Sequence, residues 1–368
     1  MRALCHREGL LAGCQLAAAA IPAKEIKPIL KNLKVVAGDG RCTLMATDLE
    51  VGIRLDVQGL TIQEPGEGIL PAAKLIAILR ESRDGEVSLE ADASSCLVKG
   101  SQFEFEMPGE DPSLFPDFPT FNEEKYHELT AGTLREMIRR TIFATADETA
   151  RYSMTGVMWE LEGDKARLVA TDGRRLALAD GVATSVGGHT TKGHAPVVPT
   201  KAMSLLERNL QDDPEEVIKV SLRPNEVLFR TGRSVVYSRL VEGRFPDYRA
   251  VLPKKVTSTI PLHVGHFQSS VRQAAIMTDA DNKRVAFKFS KDKLTLLAQG
   301  AAAGRSKIEM PIEYTGKEVT IQFNPDYLVE MLKVLPPDAD LHVELVDGAS
   351  PAMLRSGDHY SYLVMPLT

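Results

Sequence analysis

A threefold internal repeat constrains the fold of this chain more than any other feature of its sequence. A short helix-like segment that opens near a proline recurs at a spacing of about 127 residues, as LPAAKLIAILRES (70–82), VPTKAMSLLERNL (198–210) and FNPDYLVEMLKVL (323–335). Each copy carries apolar residues at helical spacing, so one face is expected to pack against a core. Pro71 and Pro325 suit a first helical turn, and Thr200 can cap the second copy.

Other segments recur in step with these three copies. A longer helical pattern precedes each copy, at 7–20, 130–145 and 263–278. Hairpin turns fall at matching places in two sets, Gly38-Asp39-Gly40, Gly163-Asp164 and Lys291-Asp292, then Gly100-Ser101, Gly232-Arg233 and Gly357-Asp358. Each repeat is therefore predicted to be an α+β unit, with two helices on one side and hairpin-rich antiparallel sheets on the other.

The repeat also suggests where the units begin and end. The segment 108–124 is rich in proline and acidic residues, and 251–261 is a similar break. FPDFP (115–119) and FPDYR (245–249) resemble each other, and both close a repeat. We predict domains at 1–124, 125–253 and 254–368, each near the common domain size.

Composition narrows the class of protein. No apolar run reaches the roughly 18 residues of a membrane helix, and the first residues lack the apolar core of a signal peptide, so a cytoplasmic protein is expected. The balance of 44 basic and 50 acidic residues, a net charge of -6, argues against coating nucleic acid through bulk positive charge. Four cysteines without a C-x-x-C pair favour buried free thiols over zinc: Cys5, Cys14, Cys42 and Cys96.

Motifs for catalysis are absent from the sequence. It has no P-loop, no H-E-x-x-H, no G-x-S-x-G and no G-x-G-x-x-G. The pairs His189 with His194 and His263 with His266 lack acidic or thiol companions at ligand spacing. Asp48 and Asp172 follow equivalent strands, which leaves two interpretations open: a symmetric acid pair for hydrolysis, or carboxylates that fix a turn. The second is favoured because the third repeat has Gln299-Gly300 there.

Several runs together resemble one known family. VATDGRRLAL (169–178), SRLVEGRFPDYRAVLP (238–253), the closing YLVMPLT (362–368) and the triple repeat are similar to the beta subunit of bacterial DNA polymerase III, and the resemblance covers the whole chain. It implies a ring-forming head-to-tail dimer of three-domain subunits, with helices around a central hole. It also implies a processivity factor without catalytic residues or cofactor. Its partners would be double-stranded DNA and, through short linear peptides, the replicative polymerase, the clamp loader and repair proteins.

The resemblance also implies site residues, position by position. A pocket for partner peptides would consist of Met154, Thr171, Gly173, Arg174, Arg175, Leu176, Pro246, Val251, Leu363 and Met365, with a second part at Asn324, Tyr327 and Leu367. The same residues could instead form a core seam between the second and third units. The chain departs from the family at its last residue, Thr368, where members often carry a basic residue and a further apolar one, and a changed peptide preference is expected.

DNA and the partner subunit would use other residues. DNA contacts are implied at Lys24, Lys74, Arg151, Tyr152 and Lys201, although this chain has Ser153 where the family often has a second tyrosine. Further basic residues on the repeated helices could face DNA or simply solvent: Arg135, Arg139, Arg140, Arg272 and Lys333. The subunit interface would bring Phe103 and Phe105 of the FEFEM strand against Ile276 and Met277 of the partner, unless these side chains are core within one chain.

Overall fold

The protein is described here from a computed structural model that covers residues 1–24, 27–147, 153–210, 213–279 and 283–367. The six segments predicted to be helical are helices: α1 (Arg7–Ala18), α2 (Ala72–Glu81), α3 (Ala131–Thr141), α4 (Thr200–Asn209), α5 (Val264–Ala275) and α6 (Pro325–Lys333). Short 3-10 helices lie at Pro28–Lys31, Pro112–Leu114, Ile142–Ala144 and Tyr248–Val251. No helix among the described residues is long and apolar enough to cross a membrane.

Side-chain caps are present at the starts of some helices and absent at others. The side chains of Thr130 and Asn324 accept backbone N–H groups at the starts of α3 and α6, and Pro325 is the first residue of α6. Pro71 lies just before α2. The capping role predicted for Thr200 is wrong, because this residue lies inside α4 and its hydroxyl donates to the carbonyl of Thr155 at 2.9 Å.

Strands fill the rest of each repeat. Those of the first unit are β1 (Arg2–His6), β2 (Leu33–Gly38), β3 (Arg41–Thr47), β4 (Val51–Asp56), β5 (Leu60–Glu64), β6 (Gly66–Leu70), β7 (Glu86–Ala91), β8 (Ser95–Lys99) and β9 (Glu104–Pro108). Those of the second are β10 (Tyr126–Thr130), β11 (Gly156–Glu162), β12 (Lys165–Thr171), β13 (Arg175–Val182), β14 (Thr184–Val186), β15 (Val197–Pro199), β16 (Val217–Leu222), β17 (Glu226–Arg230) and β18 (Ser234–Arg239). Those of the third are β19 (Ser258–His263), β20 (Val285–Ser290), β21 (Lys293–Gly300), β22 (Gly304–Pro311), β23 (Val319–Phe323), β24 (Asp340–Leu345), β25 (Ala352–Ser356) and β26 (Tyr360–Val364).

The sheets run across the boundaries between units. One sheet has the order β14-β10-β16-β17-β18-β4-β3-β2-β6 and another β15-β11-β12-β13-β26-β25-β24-β19, so the antiparallel pairs β18–β4 and β13–β26 join the first unit to the second and the second to the third. The sheets at the two ends have the orders β5-β1-β7-β8-β9 and β22-β21-β20-β23. Each end sheet therefore has two edge strands with no described partner on their outer side, β5 and β9 in the first unit and β22 and β23 in the third.

The core lies between the helix pairs and the sheets. The helices of each unit pack against each other and against the strands, with Leu75, Met203 and Leu328 fully or almost fully buried. Trp159 is completely buried. The four cysteines are buried free thiols, as predicted, and burial raises the pKa of Cys5 to about 12 and that of Cys42 to about 11. These thiols are therefore protonated and unreactive at neutral pH.

Candidate functional site

The junction between the second and third units carries most of the residues expected to bind peptides. In the β13–β26 pair, Leu176 lies opposite Leu363. Both are buried in one apolar cluster, 3% and 2% exposed, on the face of the sheet that the helices do not cover. The other members of the cluster are Met158, Val169, Leu178, Val197, Phe245, Tyr248 and Met353. The seam is thus apolar along its length, which is typical of the floor of a ligand groove.

A tight turn between β12 and β13 forms one rim of this seam. The Thr171 hydroxyl donates to the carbonyl of Arg175 at 2.6 Å and accepts the N–H of Gly173 at 3.0 Å. Asp172 accepts the N–H groups of Arg174 and Arg175 at 2.9 and 3.0 Å. Gly173 has a φ of +85°, a left-handed conformation that glycine adopts without steric cost.

The turn interpretation of the two aspartates is confirmed by this geometry and by its copy in the first unit. There, Asp48 accepts the N–H groups of Glu50 and Val51 at 3.0 and 2.7 Å. Each carboxylate therefore satisfies backbone donors within its own turn, and nothing in the structure supports a hydrolase built on Asp48 and Asp172.

Arg175 connects the two units beneath the turn. Its side chain is only 9% exposed, and its guanidinium donates to Asp172 at 3.1 Å, to the carbonyl of Phe143 at 2.8 Å and to Glu330 on α6. The guanidinium also lies 4.6 Å from the centre of the Tyr327 ring. Sequence reasoning found Arg175 and Tyr327 but missed Phe143 and Glu330, because only the fold brings these distant segments to the same place.

The C-terminal segment lies beside this turn. After β26, the N–H of Met365 donates to the carbonyl of Arg174 at 2.9 Å, and the N–H of Leu367 donates to the carbonyl of Gln322 at 2.8 Å. The side chain of Met365 is 38% exposed beside the seam. Arg174 lies beside Tyr327, and a hydrogen bond between the two side chains raises the pKa of the Arg174 guanidinium. The two halves of the expected pocket thus meet along residues 365–367.

The remaining pocket residues have more peripheral places. Pro246 and Val251 are exposed on the segment that carries the buried Phe245 and Tyr248. Met154 is half-buried, and its carbonyl accepts the N–H of Ala146 at 2.9 Å. Asn324 caps α6 through the N–H of Asp326, so its side-chain oxygen already has a partner. Thr368 lies outside the described residues.

The residues expected to contact DNA differ in their exposure and in their contacts within the chain. Lys24 and Lys74 are exposed. Lys201 is instead engaged between the first two units, with its ammonium 2.6 Å from Asp48 and 3.0 Å from the carbonyl of Ala20. Arg151 and Tyr152 lie outside the described residues, so their expected contacts stay a prediction.

A basic groove on the helix side brings together four of the five further basic residues for which the sequence left DNA and solvent as alternatives. It has a volume of about 410 Å³, lies between α3 and the end of α6, and contains one carboxylate, Glu136, among the described residues of its lining. Four cations line it: Arg135, Arg139, Arg140 and Lys333. The helical repeat could have predicted that these residues share one groove, because they fall on facing helices of adjacent units.

The residues expected at the subunit interface lie at or near β9 and β22, one edge strand of each end sheet. Phe105 is on β9 and 46% exposed, and Phe103 immediately precedes this strand rather than belonging to it. Ile276, just after α5, is 70% exposed. Met277 packs on the core beside the first residue of β22, with its sulfur 3.8 Å from where a Cβ on Gly304 would lie.

A histidine pair that the sequence did not indicate lies within the second unit. His189 contacts His127 rather than His194, with their Nδ1 atoms 2.7 Å apart. His127 is fully buried, and this burial, together with the neighbouring His189, lowers the pKa of His127 to about 4. Among the described residues, no group of three His, Cys, Asp or Glu side chains is placed to hold a metal ion.

Comparison with known proteins agrees with the threefold organisation. Sequence profiles of the DNA polymerase III beta subunit match the chain in order: the N-terminal domain at residues 1–122, the central domain at 128–247 and the C-terminal domain at 249–368. The chain belongs to the DNA polymerase III beta subunit family. The family resemblance inferred from the sequence is therefore confirmed, and the chain is a sliding clamp subunit, a processivity factor rather than an enzyme.

Individual relatives extend over the whole chain. The beta sliding clamp of Proteus mirabilis is 30% identical and that of Pseudomonas putida 31% identical, covering 100% and 98% of both chains respectively. The crystal structure of a DnaN sliding clamp from Pseudomonas aeruginosa with bound griselimycin superposes with a TM-score of 0.92 at 28% identity, over 100% of this chain and 99% of that one. The predicted fold class, three repeated clamp domains, is confirmed.

Proposed function

We propose that two copies of this chain close head to tail into a ring that encircles duplex DNA in the bacterial cytoplasm. The ring would tether the replicative polymerase, the clamp loader and repair proteins through short peptides held at the junction of the second and third units. The observation that carries this proposal is that β9 and β22, in the two end sheets, hold the places of the strands that pair across the internal junctions but have no described partner on their outer side. We also retain the domain boundaries after residues 124 and 253 as part of the proposal.

The two free edges correspond to the strands that pair inside the chain. β22 occupies the place in its unit that β4 and β13 occupy in theirs, and β9 occupies the place of β18 and β26. Ile53 and Ala177 are buried where β4 and β13 meet their partners, whereas the equivalent Ser306 is half-exposed. Phe105 is likewise 46% exposed where the equivalent Val236 and Tyr362 are buried. A β9–β22 pairing between two chains would bury the side chains that the single chain leaves uncovered.

The proposed DNA path runs along the helices. The groove between α3 and α6 provides several cations on one surface, and Lys24 and Lys74 are exposed on or after helices of the first unit. With a net charge of -6, direct affinity for a short duplex should be weak and should fall with added salt. A closed ring does not need such affinity, because the DNA is held by topology.

The decisive experiment tests this topology. Native mass in dilute solution should be near 81 kDa, twice the 40.3 kDa chain. Once a clamp loader and ATP have placed the protein on nicked circular DNA, it should remain through a salt wash that strips phosphate-binding proteins. A single cut in the circle should then release it, because a ring slides off a free end. Gel filtration of the circles before and after cutting measures both steps.

Phe105→Asp provides the control, because it places a charge in the proposed interface at a side chain that is already exposed in the single chain. This variant should be retained poorly even on intact circles. Retention that is indifferent to linearisation, or loss from intact circles at moderate salt, would mean that contacts rather than topology hold the DNA. A stable monomer in dilute solution would contradict the ring itself.

A further inference from the structure

We infer that opposite charges on the two free edges select the partner strand and fix the register of the ring junction. Glu104 and Glu106 on β9 would meet Lys307 and Arg305 of the partner subunit on β22. The inference rests on the proposed ring and adds to it the residues that decide which edges meet and how they align.

The register follows from the two junctions inside the chain. Ile53 lies opposite Val236 in the β4–β18 pair, and Ala177 lies opposite Tyr362 in the β13–β26 pair. The equivalent position on β22 is Ser306, because Ile53, Ala177 and Ser306 lie opposite Ala46, Ala170 and Ala298 on their preceding strands.

The same reasoning assigns the matching position on β9. Val236, Tyr362 and Phe105 lie opposite the equivalent buried residues Phe229, Leu354 and Val98. Ser306 should therefore face Phe105 of the partner subunit. In antiparallel pairing the neighbours then follow: Arg305 faces Glu106, Lys307 faces Glu104, and Ile308 faces Phe103.

The two faces of this junction would have different chemistry. The Ser306 hydroxyl donates to the carbonyl of Ala274 on α5 at 3.1 Å, so Ser306 and Ile308 belong to the helix side with Phe103 and Phe105. Alternation along the strands places Arg305, Lys307, Glu104 and Glu106 on the opposite, solvent-exposed side. The helix side thus supplies apolar contact and the outer side supplies ion pairs.

Pairs of opposite charge at these positions distinguish the free edges from the internal junctions. The corresponding pairs inside the chain are Gly52 with Tyr237 and Arg54 with Val235 at one junction, and Leu176 with Leu363 and Leu178 with Ser361 at the other. None of these four pairs joins opposite charges. Edge strands are commonly protected by charged side chains of either sign. Here the positions that would pair are acidic on β9 and basic on β22, so of the three possible pairings of these edges only β9–β22 brings opposite charges together at them.

The contacts that the four charged side chains make within the chain leave them exposed for this pairing. Glu104 lies 3.5 Å from Lys99, and Lys307 lies 3.0 Å from Glu309, but the side chains of Glu104 and Lys307 remain 62% and 63% exposed. Glu106 and Arg305 are exposed and form no ion pair with another described residue. A groove of about 700 Å³ beside β22 includes Arg284, Arg305 and Lys307 in its described lining and no carboxylate. This groove would receive the acidic edge of the partner subunit.

Charge reversal on one edge at a time provides the test. The variant Glu104→Lys/Glu106→Lys and the variant Arg305→Glu/Lys307→Glu should each dimerise at least about tenfold more weakly than the wild type in low salt, because each places like charges opposite one another. Mixed in equal amounts, the two variants should form a heterodimer, since both of its junctions again join opposite charges. The chain with all four reversals should recover the homodimer. Sedimentation velocity measures the dissociation constants.

The controls separate this inference from the ring proposal. Glu64→Lys/Glu215→Lys raises the net charge by the same amount as Glu104→Lys/Glu106→Lys, at exposed positions outside β9 and β22, and should dimerise like the wild type. Circular dichroism confirms that each variant is folded. A monomeric wild type would overturn the ring proposal and this inference together. A dimeric wild type whose one-edge variants dimerise equally well, or whose folded variants fail to form the heterodimer, would overturn this inference alone.

Discussion

Single substitutions between the repeats give the two internal junctions different surfaces. Position 176 is leucine in the second unit, while the equivalent position in the first unit is Gly52. A Cβ on Gly52 would lie 3.1 Å from the ring of Phe118, so the absence of a side chain lets this ring lie directly on β4. The guanidinium of Arg54 lies 4.8 Å from the centre of the same ring. Phe118 therefore covers at the first junction the position where Leu176 contributes its own side chain at the second.

The buried histidine pair should make stability depend on pH. A pKa of about 4 for His127, against 6.5 for an unperturbed histidine, means that the fold holds this group neutral. As pH falls below about 6.5, the unfolded chain binds a proton that the folded chain does not, so stability present above that pH is lost progressively toward pH 4. Between about pH 7.5 and 5, the free energy of unfolding should fall by about 2 kcal/mol more in the wild type than in His127→Gln.

Urea unfolding at the two pH values measures this difference. His194→Gln is the matched control, because it removes an exposed histidine of the same unit and leaves His127 in place. Equal pH dependence in the wild type and His127→Gln would mean that His127 is protonated in the fold as readily as in the unfolded chain.

At the scale of elements, the sequence predicted the features that depend on a local pattern of residues. Apolar spacing located all six helices, and turn residues such as glycine and aspartate located six of the hairpins, because both signals lie within a few neighbouring residues. The β18–β4 and β13–β26 pairs could not be predicted in the same way, since each joins strands separated by about 180 residues. The resemblance to the family located Arg175 and Met365, whereas the contacts of Arg175 with Phe143 and Glu330 required the structure.

Removal of residues 365–368 should separate peptide binding from assembly. The deletion leaves β26 intact, because that strand ends at Val364, but it removes Met365 and Leu367 and their backbone bonds to Arg174 and Gln322. Loss of a buried anchor typically costs about 2 kcal/mol or more, so affinity for a clamp-binding peptide should fall by about thirtyfold or more. Fluorescence anisotropy with a labelled peptide from the replicative polymerase of the same cell measures this change.

Deletion of Thr368 alone is the matched control and should change the affinity much less. The dimer should persist in both truncated forms, because β9 and β22 lie away from the C-terminal segment. Unchanged peptide affinity after removal of residues 365–368 would show that peptides bind elsewhere.

At the scale of the whole molecule, three similar units are joined by two continuous sheets, and the third junction needed to close a ring is missing from the single chain. Two junctions are within one chain and persist at any dilution, whereas a junction between chains depends on concentration. The junction between chains should therefore respond to dilution and the two junctions within a chain should not, although all three would pair their strands in the same way.

Amide hydrogen exchange should reveal this difference. Above the dissociation constant of the dimer, the outward-facing amides of β9 and β22 should be protected by inter-chain hydrogen bonds, and below it they should exchange quickly. Amides of β4 and β18, and of β13 and β26, should be protected at both concentrations because their partners are in the same chain. The opposite edges of the end sheets, β5 and β23, serve as internal controls and should not change with dilution. Exchange at β9 and β22 that does not depend on concentration in a protein that sediments as a dimer would mean that the two chains meet through another surface.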